Sequence, residues 1–213
     1  MRIGTIGAGR MVESLAGRWA AAGHEVRIGA RDTGRAAELA TRIGAVAGGG
    51  IREAVEFGNV ILFGVKQAAI VDALEAAGAA DGAFTGKIII DCGNAVDLSD
   101  FSQVTWDGKS LAEQAEAVAV GSRVVKAFNL AAYTVWQKNP VQYDGRPLAI
   151  PICGDDTAKA TIAPLITGMG ATPLDVGDLR QARQLEAMGV IIIKLLFGGV
   201  GLNSVFQFLP EPA

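Results

Sequence analysis

The stretch that decides the fold opens the chain and reads Ile3-Gly4-Thr5-Ile6-Gly7-Ala8-Gly9-Arg10-Met11-Val12. A short apolar run over residues 3–6 predicts a buried strand, and the apolar positions that follow recur at helical spacing as far as Gly23. Gly7 permits a tight turn, Gly9 lets the backbone approach a pyrophosphate, and the N–H groups that open the helix receive its charge. The stretch therefore predicts a dinucleotide site in its usual strand–turn–helix context.

The third glycine position of this fingerprint is occupied by Val12. A glycine there normally serves close packing of helix and strand, so Val12 predicts a slightly wider crossing without removal of the phosphate site. A glycine-rich turn that binds no ligand is the alternative interpretation.

The end of the second predicted strand, residues 24–28, indicates which dinucleotide is bound. An NAD site places an acid there for the ribose 2′-hydroxyl. Here Ala30 is small and neutral, Arg31 follows it, and Arg35 lies one helical turn later. Two guanidinium groups suit a 2′-phosphate, which favours NADP(H). Two solvated surface arginines are the alternative, and Asp32 leaves a contact to a hydroxyl open.

The rest of the chain alternates strand and helix signals. Further strands are predicted over residues 45–47, 59–65, 87–92, 122–127, 148–152 and 172–174. Helices are predicted after a Thr33 cap, at Ile51–Phe57, and over residues 67–77, 110–118, 156–166 and 179–197. This pattern predicts an α/β fold, a doubly wound, mainly parallel Rossmann-type sheet with a C-terminal helical cap. We expect residues 1–175 to form the NADP-binding domain and residues 176–213 a helical segment packed on it.

Composition excludes several other classes of protein. The 213 residues are 50% hydrophobic, carry a net charge of −3 and contain no basic run, which argues against disorder and against a nucleic-acid partner. A single histidine, His24, and two distant cysteines, Cys92 and Cys153, favour buried thiols over a metal site or a disulfide. Residues 188–202 are apolar but interrupted and too short to span a bilayer. We expect a cytoplasmic protein with no membrane segment.

Three later strands end in segments that we expect at the nicotinamide half of the cleft. The candidate residues there are Val65, Lys66, Gly93, Asn94, Ala127 and Asn129. Lys66 and Lys126 are equally well interpreted as ordinary exposed lysines. No Ser-Tyr-Lys or His-Asp arrangement occurs at the strand ends, and the nearby candidate proton donors are Tyr133 and Lys126. Direct hydride exchange between two cofactor rings needs no such acid.

The sequence resembles the NADP oxidoreductase, coenzyme F420-dependent family nearly end to end. The resemblance is carried by Gly7-Ala8-Gly9, Gly29-Ala30-Arg31, VVKAFN at residues 124–129, PICGDD at 151–156 and PLDVGDLRQARQLE at 173–186. The reductase domain of the STEAP metalloreductases is similar too.

This resemblance implies an enzyme that binds NADP(H) and an 8-hydroxy-5-deazaflavin face to face and moves a hydride between them. It implies that Arg31, with Ala30 and Arg35, holds the 2′-phosphate. The phosphate loop would comprise Ala8, Gly9, Arg10 and Met11. The deazaflavin would lie near Asn129, Leu130 and Ala131 and near Met188 in the C-terminal helix.

The C-terminal helix has almost no polar face besides Lys194, so it must be buried on more than one side. The tail at residues 205–209 is apolar but too short to cover it. A two-fold partner is the commonest cover, so we predict a homodimer.

For function, the leading hypothesis is hydride transfer between NADP(H) and a deazaflavin (coenzyme F420) or a flavin. An NADPH-dependent reductase of a small imine or ketone, and a non-enzymatic NADP sensor, remain alternatives.

Overall fold

The computed structural model describes residues 1–206, and a single eight-stranded sheet runs through them. The strands are β1 Arg2–Ile6, β2 Glu25–Gly29, β3 Ala47–Gly49, β4 Val60–Phe63, β5 Ile88–Asp91, β6 Val96–Asp97, β7 Ser102–Gln103, β8 Arg123–Lys126, β9 Gln142–Tyr143, β10 Arg146–Pro147, β11 Ala149–Gly154 and β12 Thr172–Asp175. The helices are α1 Arg10–Ala21, α2 Thr33–Ile43, α3 Ile51–Phe57, α4 Ile70–Ala76, α5 Leu111–Val118, α6 Tyr133–Trp136, α7 Asp156–Thr167 and α8 Ala182–Leu195.

The strand order is β3-β2-β1-β4-β5-β8-β11-β12, while β6–β7 and β9–β10 form two small hairpins. The first six strands run parallel, β11 is antiparallel to β8, and β12 is parallel to β11. This confirms the predicted doubly wound, mainly parallel sheet. Because β1 lies between β2 and β4, the connections leave it in opposite directions and open a crevice at the carboxyl ends of the strands.

The sheet is covered on both faces, as its continuous apolar strands require. Every residue of β4 and β5 is buried. One core cluster joins the sheet to α1, α2 and α7 through Leu15, Leu39 and Ile162. The other joins it to α3, α4, α5 and the start of α8, with Val55 and Leu185 among its members. The C-terminal helix therefore packs on the sheet by its first turns.

Two local predictions were wrong in detail. The cap of α2 is Asp32 rather than Thr33, since the Asp32 carboxylate accepts the Arg35 N–H at 3.0 Å. The third strand begins at Ala47, two residues later than predicted. Gly48 explains this shift, because a Cβ there would lie 2.2 Å from the Ala36 carbonyl oxygen of α2. Packing against the helix thus selects a glycine that strand propensity disfavours.

The C-terminal helix is shorter than predicted. Its regular part ends at Leu195, and a wider turn over Leu196–Val200 contains Gly199 at φ 94°. Residues 207–209 of the predicted apolar tail lie outside the described part of the chain. Within residues 1–206, no helix combines the length and apolar character that a membrane span needs.

Candidate functional site

The turn after β1 has the backbone geometry of a phosphate-binding loop. Gly7 has φ 113°, and a Cβ there would lie 2.6 Å from the Gly64 carbonyl oxygen at the end of β4. Gly9 precedes α1, and its carbonyl oxygen accepts the Glu13 N–H at 2.9 Å. A Cβ at Gly9 would meet no protein atom within 4 Å, so the space above this residue is open. That open space, beside the N-terminus of a helix, fits a pyrophosphate.

The valine at the third glycine position is accommodated from the opposite side of the crossing. Val12 is fully buried, and a Cβ on Gly64 would lie 2.5 Å from its Cγ2 atom. The glycine that is absent at position 12 of the helix is therefore replaced by Gly64, at the facing end of β4. This compensation joins two positions 52 residues apart.

The cleft beside this turn, which we call the adenosine cleft, has a volume of about 510 Å³. The predicted residues that line it are Gly7, Ala8, Gly9, Ala30, Arg31, Arg35, Val65 and Lys66. Val65 and Lys66 were expected at the nicotinamide half, so their predicted placement was wrong. Within residues 1–206 neither Arg31 nor Arg35 forms an ion pair, whereas Arg42, Arg52 and Arg183 each pair with a carboxylate. Two guanidinium groups at one cleft, which Asp32 and Asp72 also line, suit a dianionic phosphate.

The next cleft along the sheet edge, the nicotinamide cleft, has a volume of about 310 Å³. The predicted residues that line it are Met11, Gly93, Asn94 and Asn129. Arg10 borders it, because its guanidinium donates to the Tyr133 hydroxyl at 3.1 Å and stacks on that ring. Ala127 lines neither cleft: its side chain is fully buried in the core, so that part of the prediction needs correction.

Lys126 is not the exposed lysine that one interpretation suggested. Its side chain is fully buried, and its Nζ atom donates to Asp91 Oδ2 at 2.8 Å, Glu186 Oε1 at 2.6 Å and the Gly93 carbonyl at 2.6 Å. Burial alone would lower the pKa of Lys126, but the charges of Asp91 and Glu186 outweigh it and raise this pKa. The network, which we call the buried ion cluster, joins β5, β8 and α8.

Glu186 completes this cluster and was not singled out from the sequence. Its carboxylate also accepts the backbone N–H groups of Leu111 at 3.0 Å and Ala112 at 3.3 Å, at the start of α5. Burial raises the pKa of Glu186, and the Lys126 charge opposes that rise. The sequence signal that could have identified Glu186 is that it is the single polar residue on the buried face of an otherwise apolar helix.

A second contact brings α8 against the nicotinamide cleft. The Asn94 side chain packs on Gly189 so closely that a Cβ there would lie 2.1 Å from Asn94 Oδ1. Asn129 Nδ2 donates to Asn94 Oδ1 and to the Leu185 carbonyl, both at 2.9 Å. These contacts hold the loops after β5 and β8 against the C-terminal helix.

A third space, the apolar cavity, adjoins the nicotinamide cleft and has a volume of about 520 Å³. Its lining includes Leu130 and Met188, and it shares Asn129 and Ala131 with the nicotinamide cleft. Further lining residues are Phe128, Trp136, Leu148, Ala149, Ile150, Pro151, Leu174, Asp175, Val176, Val205 and Phe206. The residues that the family resemblance assigned to the acceptor thus meet in one largely apolar space.

The two cysteines are buried thiols, as predicted. Burial raises the pKa of Cys92 and of Cys153 to about 12, so neither is a thiolate nucleophile near neutral pH. The described part of the chain contains no group of three or more His, Cys, Asp or Glu side chains arranged for a metal ion.

A glycine turn at the switch point of a doubly wound sheet, with two arginines at one cleft, is typical of the NADP-binding domains of oxidoreductases. Residues 2–95 match the sequence model of the family described as NADP oxidoreductase, coenzyme F420-dependent. This match agrees with the family that the motifs indicated.

Relatives of known structure or name agree with this class. The chain is 31% identical over 194 residues to the metalloreductase STEAP3 of Rattus norvegicus, which covers 88% of this chain and 36% of the relative. A crystal structure from Arthrobacter sp. FB24, assigned as an F420-dependent NADP reductase, superimposes with a TM-score of 0.87 at 26% identity, over 99% of this chain and 100% of that one. An imine reductase from Aspergillus terreus, solved with NADPH4 and a dibenzazepine, shares the fold with a TM-score of 0.67 at 18% identity. The superposition covers 93% of this chain and 63% of that one.

Proposed function

We propose that the protein transfers a hydride between NADP(H) and a deazaflavin (coenzyme F420) or flavin-type acceptor. The observation that carries this proposal is the continuity of the site. The nicotinamide cleft and the apolar cavity share Asn129 and Ala131, so rings bound in the two spaces would meet at these residues. The family of the N-terminal domain and the Arthrobacter structure support the same acceptor class.

In this proposal the adenosine cleft selects NADP(H). Arg31 and Arg35 bind the 2′-phosphate through charge-assisted hydrogen bonds, and Ala30 leaves room for it. The turn at Gly7 and Gly9 receives the pyrophosphate at the N-terminus of α1.

In the nicotinamide cleft the chain orients a ring rather than supplying an acid. Asn94 and Asn129 are fixed by their mutual hydrogen bonds, and Gly93 is fixed by the buried ion cluster. When bound, NADPH supplies the hydride. Proximity and alignment of the two reacting carbons then provide the main acceleration, since a ring-to-ring transfer needs no proton donor from the chain.

The C-terminal segment has two roles in this proposal. The described residues of the predicted segment 176–213 cap the domain formed by residues 1–175, and α8 brings Met188 to the apolar cavity. The outward face of α8 and the wider turn after it are apolar and exposed, with Ile191 at 57% and Phe197 at 68%. A second copy of the chain would cover this face in a homodimer. A cytoplasmic location remains a prediction.

An imine or ketone reductase is the second candidate, and Tyr133 is the observation that favours it. The Tyr133 ring lines the nicotinamide cleft, and its hydroxyl accepts a hydrogen bond from Arg10. A hydroxyl polarised in this way is a candidate acid for a carbonyl or imine. An NADP sensor without an acceptor is the third candidate.

Anaerobic NADPH oxidation distinguishes these candidates. The acceptors are coenzyme F420, 5-deazariboflavin, free flavin, a ferric chelate, and a small cyclic imine and ketone. We expect turnover with the deazaflavins or flavins. Turnover confined to the imine or ketone, and lost in Tyr133→Phe, would favour the second candidate. Tight NADPH binding without turnover of any acceptor would favour the sensor.

A further inference from the structure

Two buried polar atoms without a partner belong to residues that line the apolar cavity. They are the Nε1–H donor of Trp136 and the Oδ1 acceptor of Asn129. Within residues 1–206 three other buried side-chain atoms lack a partner, on Arg18, Arg27 and Ser122. None of those three residues lines the adenosine cleft, the nicotinamide cleft or the apolar cavity. Buried polar atoms are nearly always hydrogen-bonded, so a donor and an acceptor left open at one cavity require an explanation.

The chain contains its own comparison for Trp136. Trp19 is also buried and also packs edge-on against Phe128, at a centroid distance of 6.0 Å against 5.4 Å for Trp136. The Trp19 indole N–H donates to the Leu165 carbonyl at 3.2 Å, and Trp19 does not line the cavity. The indole whose donor is unused is thus the one at the cavity.

The orientation of the Asn129 amide is fixed by its neighbours. Its Nδ2 atom donates both to Asn94 Oδ1 and to the Leu185 carbonyl, which are acceptors only. The remaining Oδ1 atom is therefore a genuine acceptor without a donor. It belongs to a residue shared by the cavity and the nicotinamide cleft.

Resting on the proposed function, we propose that the apolar cavity recognises a planar ring whose edge carries a ring N–H beside a carbonyl, as in a cyclic amide or imide. Asn129 Oδ1 accepts from the ring N–H, and Trp136 Nε1 donates to the carbonyl. Both atoms are buried in the ligand-free protein, so the side chains around them adjust as the ring enters. Among the described residues that line the cavity, Asp175 alone is charged, and it is engaged by Lys159 at 2.6 Å, so the ring itself is uncharged at this edge.

This recognition separates the acceptor classes by chemistry. Flavins and deazaflavins share an edge in which a ring N–H lies between two carbonyls, whereas a simple ketone offers no donor to Asn129. A site built to pair both groups discriminates against a ligand that leaves one of them unpaired. The cavity volume of about 520 Å³ lies within the range of about 300–1,000 Å³ usual for small-molecule sites.

The test compares riboflavin with 3-methylriboflavin, in which a methyl group replaces the proton of that ring N–H. Binding of each is titrated to the wild-type protein saturated with NADP⁺, which holds the cofactor half without allowing turnover. We expect the methylated compound to bind at least about tenfold more weakly. Equal binding of the two compounds, or no binding of riboflavin, would overturn the proposal. This comparison needs no variant and does not depend on whether a variant folds.

The matched variants are Trp136→Phe and Trp19→Phe, which remove the same donor from the two indoles. We expect riboflavin affinity to fall about fivefold or more in Trp136→Phe and to stay within about twofold of wild type in Trp19→Phe. An equal response of the two variants would count against a contact to Trp136. NADPH oxidation is measured in parallel: discrimination between the flavins without turnover refutes the proposed reaction alone, and turnover without discrimination refutes the ring recognition alone.

Discussion

At the scale of single residues, the proposed preference for NADP(H) rests on Arg31 and Arg35. Neither is neutralised by a carboxylate within the described chain, and both face the adenosine cleft. Asp32, the acid that could serve NAD, lines the same cleft, and its Oδ1 atom caps α2 by accepting the Arg35 N–H. The Asp32 side chain, which left a contact to the ribose hydroxyl of NAD open in the sequence analysis, therefore also stabilises the start of α2.

Replacing Arg31 by Ala should weaken the binding of NADPH and leave the binding of NADH unchanged. We expect the preference for NADPH to fall by about 1.5–3 kcal/mol, the usual contribution of charge-assisted hydrogen bonds to a phosphate. Calorimetric titration with both dinucleotides measures this. Arg52→Ala is the control, because Arg52 is exposed and paired with Glu56 and Asp81. An unchanged NADPH-to-NADH ratio in Arg31→Ala would show that the guanidinium does not contact the phosphate.

Gly9 tests the phosphate turn without disturbing the fold. Its φ of −90° is open to any residue, and a Cβ meets no protein atom within 4 Å. Gly9→Val should therefore fold normally, with an unchanged circular dichroism spectrum and melting temperature. It should lose NADPH binding, because the side chain fills the space of the pyrophosphate. Normal titration of the folded variant would place the phosphates elsewhere.

At the scale of elements, the buried ion cluster holds α8 to the sheet. Lys126→Met leaves the buried carboxylates of Asp91 and Glu186 without a cation, which should destabilise the protein by about 3–5 kcal/mol. Lys66→Met is the control, since Lys66 lies at the adenosine cleft and outside the cluster. Denaturant unfolding measures both variants.

The loss in Lys126→Met should depend on pH. Burial already raises the pKa of Glu186, and removal of the Lys126 charge raises it further. A carboxyl whose pKa is higher in the folded than in the unfolded state stabilises the fold at low pH and loses that contribution as the pH rises through the folded value. The deficit relative to wild type should therefore be smaller at pH 5 than at pH 8. A deficit that grows on acidification would contradict this assignment.

The order of the main strands and helices was predictable because each has a local sequence signal, whereas the hairpins β6–β7 and β9–β10 and the short helix α6 were not predicted. The alternation of apolar runs with helically spaced apolar residues predicted a parallel sheet covered by helices. Ser110 predicted the start of α5, where it forms a capping box with Glu113. Contacts between distant residues were not predictable in this way. Lys126 lies 35 residues from Asp91 and 60 from Glu186, so only the folded sheet brings the three together. The same holds for the pairing of Val12 with Gly64.

Candidate residues at the turn could be named from the sequence because backbone geometry dictates glycine there, and Gly7 has φ 113° in the structure. The direction of side chains just after the strand ends was harder to predict from the sequence. Ala127 and Asn129 differ by two positions, yet the first is core and the second lines the cleft. Phe128, which lies between them just after β8, has φ 67°, a conformation that a sequence pattern does not indicate for phenylalanine.

At the scale of the whole molecule, the outward face of α8 predicts a homodimer. Ile191 is 57% exposed, whereas Ile192 is buried and lines the nicotinamide cleft. Ile191→Asp should therefore shift the protein from dimer to monomer in sedimentation velocity at micromolar concentration. Val120→Asp is the control, since Val120 is 69% exposed on another part of the surface. A wild-type protein that sediments as a monomer would refute the dimer.

The most direct measurement follows the hydride itself. The protein is incubated anaerobically with NADPH deuterated at both C4 positions and with 5-deazariboflavin, whose reduced C5 keeps its hydrogens in water. Direct ring-to-ring transfer predicts that the reduced deazaflavin gains one deuterium per NADPH oxidised, as read by mass spectrometry. Reduced deazaflavin without deuterium, or NADPH that is bound but leaves the deazaflavin unreduced, would contradict the proposed transfer.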